Sequence, residues 1–108
     1  MFTRIAVFEG RIQPGREDEF FAIIENELVP IWKRMPHAVA VRVTRTLESD
    51  ADAPPVVMIQ EVDYPSREAL TQALASPVRA EGRVATQRLF SIFEGRFYHY
   101  IQERLVPR

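Results

Sequence analysis

The apolar positions of this chain change their period along its length, and each change marks an element. Between Phe2 and Ile12 the run Ile5-Ala6-Val7-Phe8 is continuous, β-branched and aromatic, and flanked by charge. Such a run predicts a strand buried on both faces, ended here by Pro14-Gly15. From Gly15 the period becomes helical. Glu17, Asp18 and Glu19 occupy the first turn, where carboxylates favour the positive end of the helix dipole. Phe20, Ile24, Leu28, Ile31 and Met35 follow as one stripe, widened by Phe21 and Trp32. Pro30 interrupts it. Proline has no amide to donate to residue 26 and its ring crowds that turn, so a kink or break is expected. Trp32 then falls on a short second segment ending near Pro36.

From Val39 to Leu47 the pattern alternates, with Val39, Val41, Val43, Arg45 and Leu47 on one side and Ala40, Arg42 and Thr44 on the other. This predicts a half-buried strand. The polar loop ESDADAPP follows, and Val56-Val57-Met58-Ile59 opens a third strand that runs to about Tyr64. Ser66 can cap a short helix through about Ala75. Ser76-Pro77 starts another, with serine as the cap and proline at the first helical position. Its buried stripe is Val78, Gly82, Ala85, Leu89 and Ile92. Glycine inside a helix costs about 1 kcal/mol relative to alanine, which a close approach of Gly82 to the sheet would explain. Gly95 is the expected stop and Arg96 to Glu103 the last strand, followed by a loosely held tail from Arg104 to Arg108.

The resulting order, β-α-β-β-α-β with the second helical region split in two, predicts an α+β, ferredoxin-like fold. Its four-stranded antiparallel sheet carries helices on one face. The two continuous apolar runs fall in strands one and three, the central positions of such a sheet. Apolar residues on both sides of those strands leave the second face to be covered by something else. A second copy of the chain, as a homodimer with two sheets face to face, is the simplest cover.

Composition narrows the function classes. At 108 residues the chain is read as one domain, residues 1–108, and with 46% hydrophobic residues it can bury a core. A formal charge of −1 provides no field for nucleic acid or an anionic membrane. There is no cysteine, which removes disulfides, thiolate catalysis and cysteine-based zinc sites and suits a cytoplasmic location. The N-terminal segment lacks the charge-then-apolar pattern of a signal peptide. No apolar run approaches the roughly 20 residues of a membrane helix.

In layout the chain resembles the dimeric α+β barrel superfamily. The shared features are a strand, then PGREDEF opening the first helix, then a late proline in that helix. The segment ALASPVRAEGRVATQRL is similar to the small-Ser-Pro turn that begins the last helix of EthD-type proteins. The superfamily also holds antibiotic-biosynthesis monooxygenases, haem-degrading monooxygenases and lactone isomerases. The resemblance implies a homodimer with a small-molecule cleft in each subunit, between sheet and helices. The catalytic pattern of the haem-degrading branch is not repeated. Residues 66–92 contain no histidine, Asn26 (the only asparagine) lies in the first helix, and Trp32 is likewise on that helix. No cofactor is expected.

Candidate chemistry rests on few residues. His99 shares a strand face with Phe97 and Ile101, opposite Tyr98 and Tyr100, and its ordinary pKa suits a general acid or base. It can equally be a half-buried strand histidine bonded to backbone. His37 lies where the first helix turns into the second strand, at the cleft's rim or in a solvated loop. Arg42 could hold an organic anion bidentately, or pair with Glu61. Gln60 and Glu61 interrupt the third strand on opposite faces, so one of them enters a covered layer. A carboxyl there would have a raised pKa and could serve as a base. Trp32, Phe21 and Tyr98 can form an aromatic wall or belong to the core. Arg79, Arg83 and Arg88 make one side of the last helix basic, with Glu81 and Glu94 offsetting it, as on a solvated surface. Two histidines 62 positions apart do not make a metal site. No GxSxG, GxGxxG or phosphate loop is present.

The sequence therefore points to a homodimeric small-molecule binder, with cofactor-free enzyme chemistry of monooxygenase or isomerase type on an aromatic or lactone-like metabolite as its expected activity. His99, Arg42 and Glu61 would be the catalytic groups, and Trp32, Phe21, His37, Gln60 and Tyr98 the ligand contacts. The alternative is a non-catalytic binding or accessory protein whose polar strand residues serve dimer pairing.

Overall fold

A computed structural model describes residues 1–107. Strand β1 (Phe2–Ile12) leads through Pro14-Gly15 into helix α1 (Glu17–Ile23), and a π-helical turn (Ile24–Leu28) joins it to α2 (Val29–Lys33). Strands β2 (Ala40–Arg45) and β3 (Val56–Tyr64) form a hairpin. Helices α3 (Arg67–Leu74) and α4 (Pro77–Gln87) follow, then a 3-10 turn (Arg88–Ser91) and β4 (Phe93–Glu103). The strands make one antiparallel sheet in the order β2-β3-β1-β4. This is the ferredoxin-like α+β arrangement, with the two continuous apolar strands at the centre as expected.

Strand alternation assigns the faces. On β1, Ala6, Phe8 and Ile12 face the helices and pack with Phe20, Ile24 and Leu28 of the first helical region, Met58 of β3, and Leu89, Ile92 and Phe93. A second cluster joins Met35, Val62 and Tyr64 to Leu70 and Ala73 of α3. The opposite face of the sheet has no helix on it. Ile5 and Val7 of β1 lie there, Val7 paired with Ile59 and Tyr98, Ile5 with Glu61 and Tyr100.

Several local expectations are corrected. Pro30 neither breaks nor ends the helix. The Val29 amide bonds back five residues to the Ile24 carbonyl, a wide turn that places Pro30 in the first turn of α2. There a missing amide costs least. Strand β2 is shorter than the alternation suggested, and Val39 and Leu47 are exposed beyond its ends. Ser66 caps α3 as expected, its Oγ accepting from the Ala69 amide at 3.0 Å. Ser76 occupies the cap position of α4 but its hydroxyl donates to the Ala73 carbonyl at 2.7 Å instead. Gly82 approaches α2 rather than the sheet: a Cβ there would stand 3.6 Å from Ile31 Cγ2. Gly95 is not a helix stop. It lies within β4 opposite Gly10, both at positive φ, and a Cβ on either would fall within about 2.2 Å of the carbonyl of Glu9 or Glu94.

Candidate functional site

A cavity of about 260 Å³ opens between the sheet and the helices, drawing residues from both core clusters. The sheet supplies its floor through Arg4, Ala6 and Phe8 of β1, Gln60, Val62 and Tyr64 of β3, and Phe97 and His99 of β4. The register makes this possible, because Arg4 stands opposite Val62 and Ala6 lies between Gln60 and His99. Helices supply the other side through Trp32, Met35, Val78, Arg79, Gly82, Arg83 and Thr86. The bare backbone at Gly82 leaves room there. Thr86 turns its hydroxyl into its own helix, donating to the Gly82 carbonyl at 2.7 Å.

The electrostatics of the cavity are one-sided. Among the described residues, three guanidinium groups line it and no carboxylate does. Among the described residues no acid forms an ion pair with Arg4, Arg79 or Arg83, whereas Arg34 pairs with Glu81 and Arg88 with Glu27. Arg79 Nη1 donates to the Leu74 carbonyl at the end of α3, at 3.2 Å. Burial, then the charges of Arg79 and Arg83, hold Arg4 below the usual arginine range. Burial raises the Tyr64 phenol, partly offset by Arg4. His99 packs edge-on against Phe97, with centroids 5.5 Å apart. Burial first, then the positive charges of Arg4 and Arg79, push its imidazole down to about 4. His99 is thus neutral at pH 7, although part of its surface stands exposed to solvent in the single chain.

Of the residues singled out from the sequence, His99, Gln60 and Trp32 meet in this cavity. Between Gln60 and Glu61, the amide is the one that enters the covered layer, at 5% exposure, so no carboxyl is buried there. The other singled-out residues lie elsewhere. Arg42 and Glu61 face the helix-free side, so they do not converge with His99 as one catalytic group. Arg42 holds Asp63 bidentately at 2.7 and 2.8 Å and Glu61 at 2.9 Å. Asp63 also accepts from Thr3 Oγ1 at 2.7 Å. Tyr98 shares that side, donating to Glu9 at 3.0 Å with Arg96 over its ring. Phe21 packs on Phe20 beneath the Arg45 guanidinium, outside the cavity. His37 sits in an exposed turn, 2.7 Å from Gln72 Oε1.

Arg4, Arg79 and Arg83 were not among the expected site residues, and the helix pattern pointed to a solvated surface for the last two. A usable signal was present. Arg79 and Arg83 sit one turn apart, flank the half-buried Val78 and the buried Gly82, and have no acid one turn away on the helix. Arg88, grouped with them by sequence, belongs to the surface. Among the described residues no group of three or more His, Cys, Asp or Glu side chains could hold a metal ion. No helix there is long and apolar enough to cross a membrane.

No protein-family model matches the chain, and no curated protein matches it. Solved structures do. An EthD family protein from Bacillus halodurans superposes with a TM-score of 0.77 at 24% identity, over 97% of this chain and 99% of that one. A putative antibiotic biosynthesis monooxygenase from Bordetella bronchiseptica gives 0.66 at 19% identity, over 97% of each chain. SnoaB, a cofactor-independent oxygenase from Streptomyces nogalater, gives 0.64 at 15% identity, over 99% of this chain and 97% of that one. The chain has the ferredoxin-like α+β fold shared by EthD-type and antibiotic-biosynthesis-monooxygenase-like proteins.

Proposed function

We propose that this protein is a homodimeric small-molecule-binding protein that performs cofactor-free chemistry, of monooxygenase or isomerase type, on an aromatic or lactone-like metabolite. The observation that carries the reading is the cavity in which His99, Gln60 and Trp32 meet. Both reaction types can begin by removing a proton from a carbon next to a carbonyl. A neutral imidazole is in the right state to accept it. The Gln60 amide can donate to the oxygen on which the resulting charge develops. His99 by itself is a weak base, since burial and two arginines disfavour its charged form. An enolate or other anion beside it reverses part of that effect and raises its basicity when proton transfer is required. The shared fold with a cofactor-independent oxygenase supports the reading.

The helix-free face supports the dimer. Ile5, Val7, Ile59, Tyr98 and Tyr100 form its centre, and Tyr100 is 53% exposed in the single chain. Arg42, Glu61 and Asp63 are assigned to this face, where they satisfy one another beside the apolar centre. Ile59→Glu is expected to yield a monomer in sedimentation velocity. An unchanged dimer would place the interface elsewhere, and a monomeric parent protein would remove it.

The catalytic claim is tested by solvent deuterium incorporation into 2-tetralone and a butenolide lactone, followed by NMR without added cofactor. Exchange above the buffer rate, reduced about 100-fold or more in His99→Ala, is the expected result. Equal exchange by His99→Ala removes the role of His99. Binding without exchange favours the non-catalytic reading, which the self-contained pairing of Arg42 also suits.

A further inference from the structure

We propose that the cavity is a site for an organic anion: it takes a flat aromatic carboxylate, whose charge lies among Arg4, Arg79 and Arg83 and whose ring lies against Trp32 and Phe97. The proposal rests on reading the cavity as a small-molecule site, and adds the charge and shape of what enters it.

The chain carries one more acid than base, yet none of its acids reaches this cavity. The acids nearest along the helices are already engaged, Glu81 with Arg34 and Glu27 with Arg88. Arg4 is partly buried and stands in the field of Arg79 and Arg83, so it loses hydration beside like charges, a cost that an entering anion removes. The arginines approach from two sides. Arg4 rises from the central strand, while Arg79 and Arg83 descend from one helix, a turn apart. Guanidinium groups disposed in this way can grip the two oxygens of one carboxylate.

The remaining lining describes the rest of the ligand. Trp32 and Phe97 offer flat apolar surfaces, with Phe97 stacked on Phe8 at 5.4 Å between centroids. A volume of about 260 Å³ accommodates one or two fused rings, below the usual span of drug-sized sites. Inorganic phosphate would satisfy the arginines and leave the aromatic surfaces uncovered.

Three probes separate these elements: 2-naphthoate, its neutral isostere 2-naphthamide, and inorganic phosphate. Binding is read by calorimetry and by the indole NMR signal of Trp32, the only tryptophan in the chain. The acid is expected to bind about tenfold or more tightly than the amide, the difference expected of a charge-assisted contact. Arg79→Gln and Arg83→Gln should each shrink that preference, and raised salt should weaken the acid alone. Arg83 is exposed on its helix, so its replacement keeps the fold and carries the test even if the Arg79 variant does not. Equal binding of acid and amide, both shifting Trp32, overturns the charge assignment and leaves the small-molecule cavity standing. Phosphate binding as tightly as naphthoate overturns the role of the ring. No response of Trp32 to either aromatic probe overturns this proposal and the cavity reading together.

Discussion

Replacing Asp63 by asparagine should destabilise the protein at neutral pH, and by less in acid. The Asp63 side chain is 5% exposed, and three groups address its oxygens. Hydrogen bonds from Arg42 foremost, then from Thr3, outweigh burial and hold its carboxyl down at about 2, against an ordinary 3.8. The difference, at roughly 1.4 kcal/mol per pH unit, sets an upper bound of about 2.5 kcal/mol. The Arg42 side chain is 42% exposed, and solvent screens the pair, so about 1 kcal/mol is the better figure. Asparagine keeps Oδ1 as an acceptor for Thr3, but it loses the charge and sets an NH2 donor against Arg42 Nη1, a loss that does not vary with pH. The sign follows from the lowered folded value. Stabilisation is complete above about 3.8 and disappears as pH falls from there towards 2. Urea unfolding followed by circular dichroism at one protein concentration, at pH 7, 4.5 and 3, measures it. The pH-dependent part of the gap between parent and variant should be about 1 kcal/mol at the upper two pH values and clearly smaller at pH 3. A gap that does not change with pH would show that packing, not charge, makes Asp63 matter.

Three further outcomes are expected. Gly95→Ala should lower stability by about 1–3 kcal/mol, because its Cβ would stand 2.1 Å from the Glu9 carbonyl oxygen at a positive φ; a thermal midpoint within a degree of the parent would contradict this. Ser66→Ala should cost about 1 kcal/mol through loss of the cap to Ala69, and Ser76→Ala less, since Ser76 makes no such bond; the reverse ranking in urea unfolding would refute the assignment. By NMR, the imidazole of His99 should titrate near 4 in the free protein, rise on binding 2-naphthoate, and rise part of the way in Arg79→Gln; a midpoint near the ordinary 6.5 in the free protein would refute its placement.

The candidate site was legible in part, and the divide has a physical cause. Alternation along β4 put His99 on the face of Phe97 and Ile101, and the interruption of β3 by Gln60-Glu61 showed that one polar side chain must enter a covered layer. Each of these is a property of neighbouring residues on one strand. That the buried one is Gln60, and that it shares a cavity with His99 and Trp32, depends on how β3, β1 and β2 register and on which face the helices cover. Arg42 shows the same limit. Its strand face was correct in the sequence, but whether that face meets a cavity or the open side of the sheet was not written there.

What the sequence by itself determined was the order of elements, the two central strands and the start of α3. Periodicity, apolar runs and capping act over one or two turns, so one segment suffices to reveal them. Only the tertiary structure showed how the chain accommodates Pro30, through a wide π-helical turn that sets it in the first turn of α2, where a missing amide costs least. It alone placed Gly95 against Gly10, 85 residues away, and turned the Ser76 hydroxyl from its own helix to the end of the one before. It also brought Arg4 to the same space as Arg79 and Arg83. That convergence arises from docking a helix across a sheet, a long-range relation for which no local pattern along the chain stands as a signal.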